Sequence, residues 1–406
     1  MKISVVADCH LNRILYKGVM DNEFENISFR TADYLRAFRY IVNDSIENVK
    51  PELFVIVGDI YDNFSPANDV RSFFNDQLRL LKEAKIPVIM LVGNHDICRK
   101  HHALQPLKSL GIKSLKVIEE PTTIEFKGHT LLLFPHSLEV EKNNLSMREE
   151  FLKFVEEARP KIKDPSKTIF FGHFGVKSGT LKVYEHDGKK KTFKNTSSSS
   201  INLDDLDSIG ASYVFLGDYH HHHILETKRC RAMYTGSIER SDTSEKDDKK
   251  GYIVYDDSKE EQGKLGFCEF RPYPNCRPIV ELKGTVEDIK KQINKLDGSS
   301  KTGIFKIIFE GNNNQLVDFS VAYPEIKETL YNEFEAVYIF DEQNVKNEKQ
   351  EEEAQEIRIE IEEKGQIDES DVLKIIHGMI DEEGLEEEET KTLKEEAKQI
   401  FKEALE

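Results

Sequence analysis

Five short apolar runs, at residues 3–6, 53–57, 88–92, 168–171 and 213–216, are each closed within a residue or two by Asp, Gly, Asn or His. This pattern limits the fold more than any other feature of the chain. The runs are rich in Val, Ile and Phe, and stretches of helical periodicity at 31–48 and 66–84 lie between the first three. Such alternation predicts an α/β sheet covered by helices. Ligands of α/β sheets gather beyond the carboxyl ends of the strands, so the five polar clusters are expected to converge on one site.

The clusters are Asp8-Cys9-His10, Gly58-Asp59-Ile60-Tyr61-Asp62, Gly93-Asn94-His95-Asp96, Gly172-His173-Phe174 and Gly217-Asp218-Tyr219-His220. Asp8 and His10 are two apart at a strand end, and on an extended backbone their side chains point the same way. Buried acids and imidazoles without partners are costly, so their recurrence at strand ends requires mutual pairing or a metal ion. Any one cluster alone reads as structural; together and in this order they read as a metal centre.

Further strands are expected at 122–126, 130–134, 232–236, 252–255 and 266–270, forming a second sheet packed on the first. The pair around Lys127-Gly128 has hairpin spacing but weak turn chemistry. Residues 183–200 combine an Asp-Gly turn, a basic run and a serine tract, which predicts an exposed loop or hairpin. After Pro278 a small α+β unit is expected: a strand at 279–282, a helix at 286–296, a strand at 304–309, a helix at 324–335 and a strand at 336–340. A highly charged stretch at 343–365 leads to two amphipathic helices. Val372, Ile376, Met379 and Ile380 share a face of the first; Leu393, Ala397, Ile400, Phe401 and Ala404 share a face of the second. A pair this short has little core of its own, so it either docks a partner or packs back on its own chain.

The formal charge of −18 is concentrated at the end of the chain. Residues 351–406 hold 21 acidic and 7 basic residues, about −14, which leaves about −4 for residues 1–350. The main body is therefore close to neutral and compatible with a polyanionic partner. No apolar run reaches the roughly 18–20 residues of a membrane span. Asp8 and His10 interrupt the apolar N-terminus too early for a signal-peptide core, so a cytosolic protein is expected. The cysteines, Cys9, Cys98, Cys230, Cys268 and Cys276, form no CxxC pair and no even set, which predicts reduced thiols.

In their order, D-x-H, G-D-x-x-D, G-N-H-D, G-H and G-[HD]-x-H, the motifs resemble those of the calcineurin-like metallophosphoesterases. More narrowly, Phe29-Arg30-Thr31-Ala32-Asp33, the run Tyr234-Thr235-Gly236-Ser237-Ile238-Glu239-Arg240 and the segment Arg277-Pro278-Ile279-Val280-Glu281-Leu282 are similar to SbcD-type DNA-repair exonucleases. This resemblance implies a four-layer α/β sandwich, two packed β-sheets flanked by helices, with a small α+β capping domain and a C-terminal helical tail. The implied boundaries are 1–275 for the nuclease domain, 276–341 for the DNA-binding cap, 342–365 for a charged linker and 366–406 for a helix pair docking an SbcC-like SMC-type ATPase.

The resemblance also implies residue roles. One metal ion would be held by Asp8, His10, Asp59 and His220, the other by Asp59, Asn94, His173 and Asp218, with Asp59 as the bridge. The family points to Mn²⁺, which suits mixed nitrogen and oxygen ligation. His95 would contact the scissile phosphate or protonate the leaving 3′ oxygen, oriented by Asp62. At Asp218 the chain departs from the family, which usually carries His there. Arg13, Arg99, Lys100, Lys177 and Lys182 are candidate DNA contacts, with Lys189, Lys190, Lys191 and Lys194 in the serine-tract loop. A homodimer is also implied. Two other readings remain: a phosphatase or cyclic-nucleotide phosphodiesterase on the same fold, since metal motifs alone do not fix the substrate, and a non-catalytic scaffold. The first strand leads to Asp-Cys-His rather than G-x-G-x-x-G, which excludes a dinucleotide-binding dehydrogenase, and there is no P-loop.

Overall fold

The computed structural model describes residues 1–15, 19–99, 101–136, 146–177, 181–184, 190–193, 201–261 and 264–345; for 181–184, 190–193, 260–261 and 264–265 it describes backbone only. Lys100, the side chains of Lys182, Lys190 and Lys191, Lys189, Lys194, most of the linker and the helix pair at 366–406 lie outside the described residues. The chain divides into two compact units. One comprises Met1–Leu282, Ile293–Ile307 and Lys327–Phe340; the other comprises Lys283–Gln292, Ile308–Ile326 and the described residues after 340.

Five strands of the first unit carry the polar clusters: β1 (Lys2–Val6), β2 (Leu53–Val57), β3 (Val88–Leu91), β4 (Thr168–His173) and β5 (Tyr213–Gly217). They divide between two six-stranded sheets. The first runs Lys264–Pro272, Gly251–Glu261, β1, β2, β3, Leu115–Ile118; the second runs His223–Leu225, Arg231–Tyr234, β5, β4, His129–Phe134, Thr122–Phe126. This corrects the sequence-based grouping, which places all later strands in the second sheet. Gly251–Glu261 instead pairs antiparallel with β1, Ile3 opposite Tyr255, and satisfies a strand edge that would otherwise be bare. The parallel pair β4 and β5 belongs to the second sheet.

Side-chain alternation produces the layers. Val5, Val55 and Val57 of the first sheet bury against Leu131, Phe171 and Phe215 of the second. The opposite face of the first sheet, Val6, Phe54 and Ile56, packs on Leu35 and Phe38 of α1 (Phe29–Asp44) and on Phe74 and Leu81 of α2 (Asn68–Glu83). The outer face of the second sheet, Leu132, Phe170 and Val214, packs on Phe151 and Val155 of α3 (Met147–Ala158). The result is a helix–sheet–sheet–helix sandwich. Sequence periodicity does not single out α3, although Ser146 and Glu149 form its capping box. In the 122–134 hairpin, Lys127 and Gly128 both take positive φ, 49° and 79°, so a lysine accepts the left-handed position that the sequence reading treats as unfavourable.

After residue 277 come strands Ile279–Gly284, Ile304–Gly311 and Tyr338–Val345 and helices Val286–Ile293 and Asn313–Phe334. The last helix begins well before Pro324, which the sequence reading takes as its start. Asn312 and Gln315 explain this, because each side chain accepts from the other's backbone N–H at 3.0 Å, a reciprocal cap at the true N-terminus.

Asp44, at the end of α1, joins that helix to the outer strands of the first sheet. Its carboxylate accepts from Arg271 Nε at 2.8 Å, Tyr252 Oη at 2.5 Å and Asn48 Nδ2 at 2.7 Å. Burial would raise its pKa, but Arg271 and the hydrogen bonds outweigh burial and lower it. The folded state therefore binds this proton more weakly than the unfolded chain. The stabilisation is complete above the ordinary value of 3.8 and is lost as pH falls through the lowered value. Asp44→Asn is expected to lower the urea midpoint at pH 7 and to narrow its gap from wild type below pH 3.8; a gap constant with pH would refute this.

Candidate metal centre

Residues in the loops after β1, β2 and β5 are held in left-handed backbone, not in the extended geometry expected for Asp8 and His10. β1 ends at Val6, and Asp8, His10, Asp59 and Asp218 have φ of 49°, 42°, 49° and 98°. Non-glycine residues pay about 1–2 kcal/mol each for this conformation, so the fold must hold it in place. His10 N donates to Asp59 O at 3.0 Å, and Asp218 N donates to Asp8 Oδ1 at 3.0 Å. Gly58 has φ 79°, and a Cβ there would lie 2.1 Å from His173 Nδ1. Only glycine lets the imidazole approach this closely.

Three imidazoles are anchored through Nδ1. His173 donates to Val57 O at 2.8 Å, His95 to Asp62 O at 3.0 Å and His220 to Glu245 Oε1 at 2.9 Å, while His10 Nδ1 lies 3.3 Å from Asp62 Oδ1. In His10, His173 and His220 the Nε2 atom is thereby directed into the cluster. His10 Nε2 and His220 Nε2 face each other at 2.9 Å, and His173 Nε2 lies 3.3 Å from Asp59 Oδ1 and 3.0 Å from Asn94 Oδ1. The ligand-type atoms gather in three groups: Asp8, His10 and His220; His10, Asp59 and His95; Asp8, Asp59 and His173.

These donors fit divalent cations. Asp8 Oδ2 is buried with no hydrogen-bond partner, and His10 Nε2 and His220 Nε2 converge at 2.9 Å, as two ligands of one cation do. Burial alone would raise the Asp59 carboxyl, yet His173, His10 and His95 hold it well below the usual carboxylate range. Burial opposes protonation of His173, but Asp59 outweighs it and pushes the imidazole up to about 10. The cluster thus demands cationic charge.

Asp8, His10, Asp59, Asn94, His173 and His220 are brought together. Asp218 adjoins them through its N–H contact with Asp8, but its carboxylate enters none of the three groups; burial, with Asp8 and Asp59, pushes it up to about 6. The contact between His95 and Asp62 runs through the main-chain carbonyl of Asp62, and its carboxylate turns to Arg13 Nη1 at 2.7 Å. Arg13 is therefore engaged, whereas Arg99 and Lys177 are exposed. His221 donates to Asp248 at 2.8 Å and His222 stacks on Phe270 at 4.3 Å, both structural contacts.

Sequence reasoning misses two carboxylates. Asp96 accepts from Tyr61 N at 2.9 Å, Gly93 N at 3.0 Å and Ile60 N at 3.2 Å, so it ties the loop after β2 to the loop after β3; burial, then Asp59, pushes it up to about 7. Its place in Gly93-Asn94-His95-Asp96 was the available signal. Glu245 lies 25 residues beyond His220, and no spacing pointed to it.

Residues 1–222 match the family model described as calcineurin-like phosphoesterase. The chain belongs to this family. Its fold is the calcineurin-like phosphoesterase fold, and the chemistry of the family is phosphoester hydrolysis with divalent metal ions. Among curated relatives, the chain is 27% identical over 323 residues to the SbcD component of the nuclease SbcCD of Staphylococcus epidermidis, covering 76% of this chain and 79% of the relative. Among solved structures it is similar to TT1561 of Thermus thermophilus, with 11% identity, a TM-score of 0.38, and coverage of 58% of this chain and 89% of that one. It also resembles AQ665 of Aquifex aeolicus, with 19% identity, a TM-score of 0.23, and coverage of 43% and 77%. The family model, not these structures, carries the assignment. No helix among the described residues is long and apolar enough to cross a membrane.

Proposed function

We propose that this phosphoesterase is the nuclease subunit of an SbcCD-type complex, hydrolysing DNA phosphodiesters at a site holding two divalent ions, Mn²⁺ by preference. The observation that carries the reading is an exposed imidazole beside a buried cluster. His95 packs edge-on against His10 at 4.8 Å, with its backbone N–H on Asp59 Oδ1 at 2.9 Å. Similarity to the staphylococcal nuclease component over most of the chain supports DNA as the substrate.

Asp8, His10, Asp59 and His220 would hold one ion, and Asp59, Asn94, His173 and Asp218 the other. When bound, such a pair supplies Lewis-acid charge to phosphoryl oxygens and lowers the pKa of water. The protein's own share is positioning and proton transfer. With Nδ1 committed to Asp62 O, His95 presents Nε2 to the substrate and, as the imidazolium, gives that proton to the leaving 3′ oxygen. Asp62 has a second task, since its carboxylate ties Arg13 beside His10. Exposed Arg99 and Lys177 are suited to phosphate contacts that position DNA without reading bases. Residues 276–341 would cap the site as a DNA-binding domain, the linker at 342–365 would lead to the helix pair at 366–406, and that pair would dock an SbcC-like ATPase. The active form would be a homodimer in the bacterial cytoplasm.

The test compares end-labelled DNA with a small phosphomonoester in Mn²⁺, using the full chain and a chain ending at 365. Both chains should cleave DNA, and only the full chain should bind the ATPase. Activity confined to the phosphomonoester would favour a phosphatase, and no activity on either substrate would favour a scaffold.

A further inference from the structure

Glu245 is a carboxylate that anchors a ligand-type histidine, His220, without itself belonging to the ligand-type groups. Its Oε1 accepts from His220 Nδ1 at 2.9 Å. Its Oε2 accepts from Ser241 N at 2.8 Å and from Lys250 Nζ at 2.8 Å. Lys250 is buried, with its side chain 0% exposed, and its ammonium also donates to His220 O at 2.9 Å and Asp248 Oδ2 at 3.2 Å. All three of its protons are thereby committed, and the lysine holds both the main chain of His220 and the carboxylate that orients its ring. His173, the ligand-type histidine of a different group, is anchored at Nδ1 by the neutral carbonyl of Val57.

We infer that Glu245, fixed by Lys250, is a positioning residue that locks His220 in the Nδ1–H tautomer and so sets the affinity of the cation position at Asp8, His10 and His220 separately from the position at Asp8, Asp59 and His173. The inference rests on the metal-centre reading above. The asymmetry follows from the acceptors: a carboxylate polarises an imidazole N–H more strongly than a carbonyl does and makes the opposite nitrogen a better ligand.

Glu245→Gln provides a sharp test. Two donors, Ser241 N and Lys250 Nζ, converge where Oε2 sits, so the glutamine must place its carbonyl oxygen there. Its amide NH₂ then faces His220 Nδ1 and forces the proton to Nε2, the nitrogen that points at His10. The experiment uses the full chain with ¹⁵N-labelled histidine, free of metal, with His220 assigned by His220→Asn. Ring ¹⁵N shifts report the tautomer, and calorimetric titration with Mn²⁺ reports each site. In Glu245→Gln, protonation should move from Nδ1 to Nε2, and one Mn²⁺ should bind roughly 10–100-fold more weakly while the other is unchanged. Glu245→Asp should keep the wild-type tautomer. Ser241→Ala, which removes the hydroxyl 3.0 Å from the same nitrogen, should change neither quantity.

An unchanged tautomer in a folded Glu245→Gln protein, or equal weakening of both sites, would overturn the inference. A shift caused by Ser241→Ala instead would do the same. If wild type binds no Mn²⁺, the metal reading fails, and with it the claim about affinity; the tautomer result still decides whether Glu245 positions His220.

Discussion

Replacing His95 with alanine is expected to slow DNA cleavage by roughly 10²–10⁴-fold while two Mn²⁺ still bind per chain. The side chain is exposed and its ring is tied to the fold through Nδ1 on a main-chain carbonyl, so its removal costs the fold little. What disappears is the proposed proton donor beside the cluster. The backbone contact from His95 N to Asp59 Oδ1 survives the substitution and keeps Asp59 in place. Single-turnover cleavage of end-labelled DNA, with metal counted by mass spectrometry, checks both halves. Wild-type cleavage would remove His95 from the mechanism. Loss of a metal ion would recast it as a ligand, a role its presence in the group with His10 and Asp59 makes chemically possible.

Gly58→Ala should damage both the fold and the metal centre. The added carbon would sit 2.1 Å from His173 Nδ1 and 2.4 Å from its Cγ, in a backbone with φ of 79°. The left-handed conformation alone costs about 1–2 kcal/mol. The clash adds to this because His173 is fully buried and cannot swing aside without breaking its bond to Val57 O. A clear drop in the urea midpoint is expected, together with loss of at least one bound Mn²⁺. Wild-type stability with both ions retained would show that the loop relaxes freely and that the close approach is dispensable.

Much of the site's composition was legible in the sequence because its chemistry is local. Each cluster follows its own strand, and the strands at 3–6, 53–57, 88–92, 168–171 and 213–216 are found within one or two residues of those positions. Partition of the strands between sheets was not legible, because apolar runs buried on both faces look alike whichever sheet they join. The backbone of Asp8 and His10 was misread for a related reason. Residue spacing shows that two side chains share a face only if the strand continues, and here it ends at Val6. Glu245 was invisible because its role depends on a chain reversal that brings residue 245 to residue 220. At Pro324 a familiar helix-start signal hid the true cap, Asn312 with Gln315.

The division of the cluster between two sheets bears on when its ligand-type residues can first meet. Asp8, His10, Asp59 and Asn94 follow strands of the first sheet, whereas His173, Asp218 and His220 follow strands of the second. A growing polypeptide that has emerged only as far as the 122–134 hairpin carries four of these seven residues. Glu245, which orients His220, is made later still. The full cluster can therefore form only once both halves of the sandwich exist and have docked.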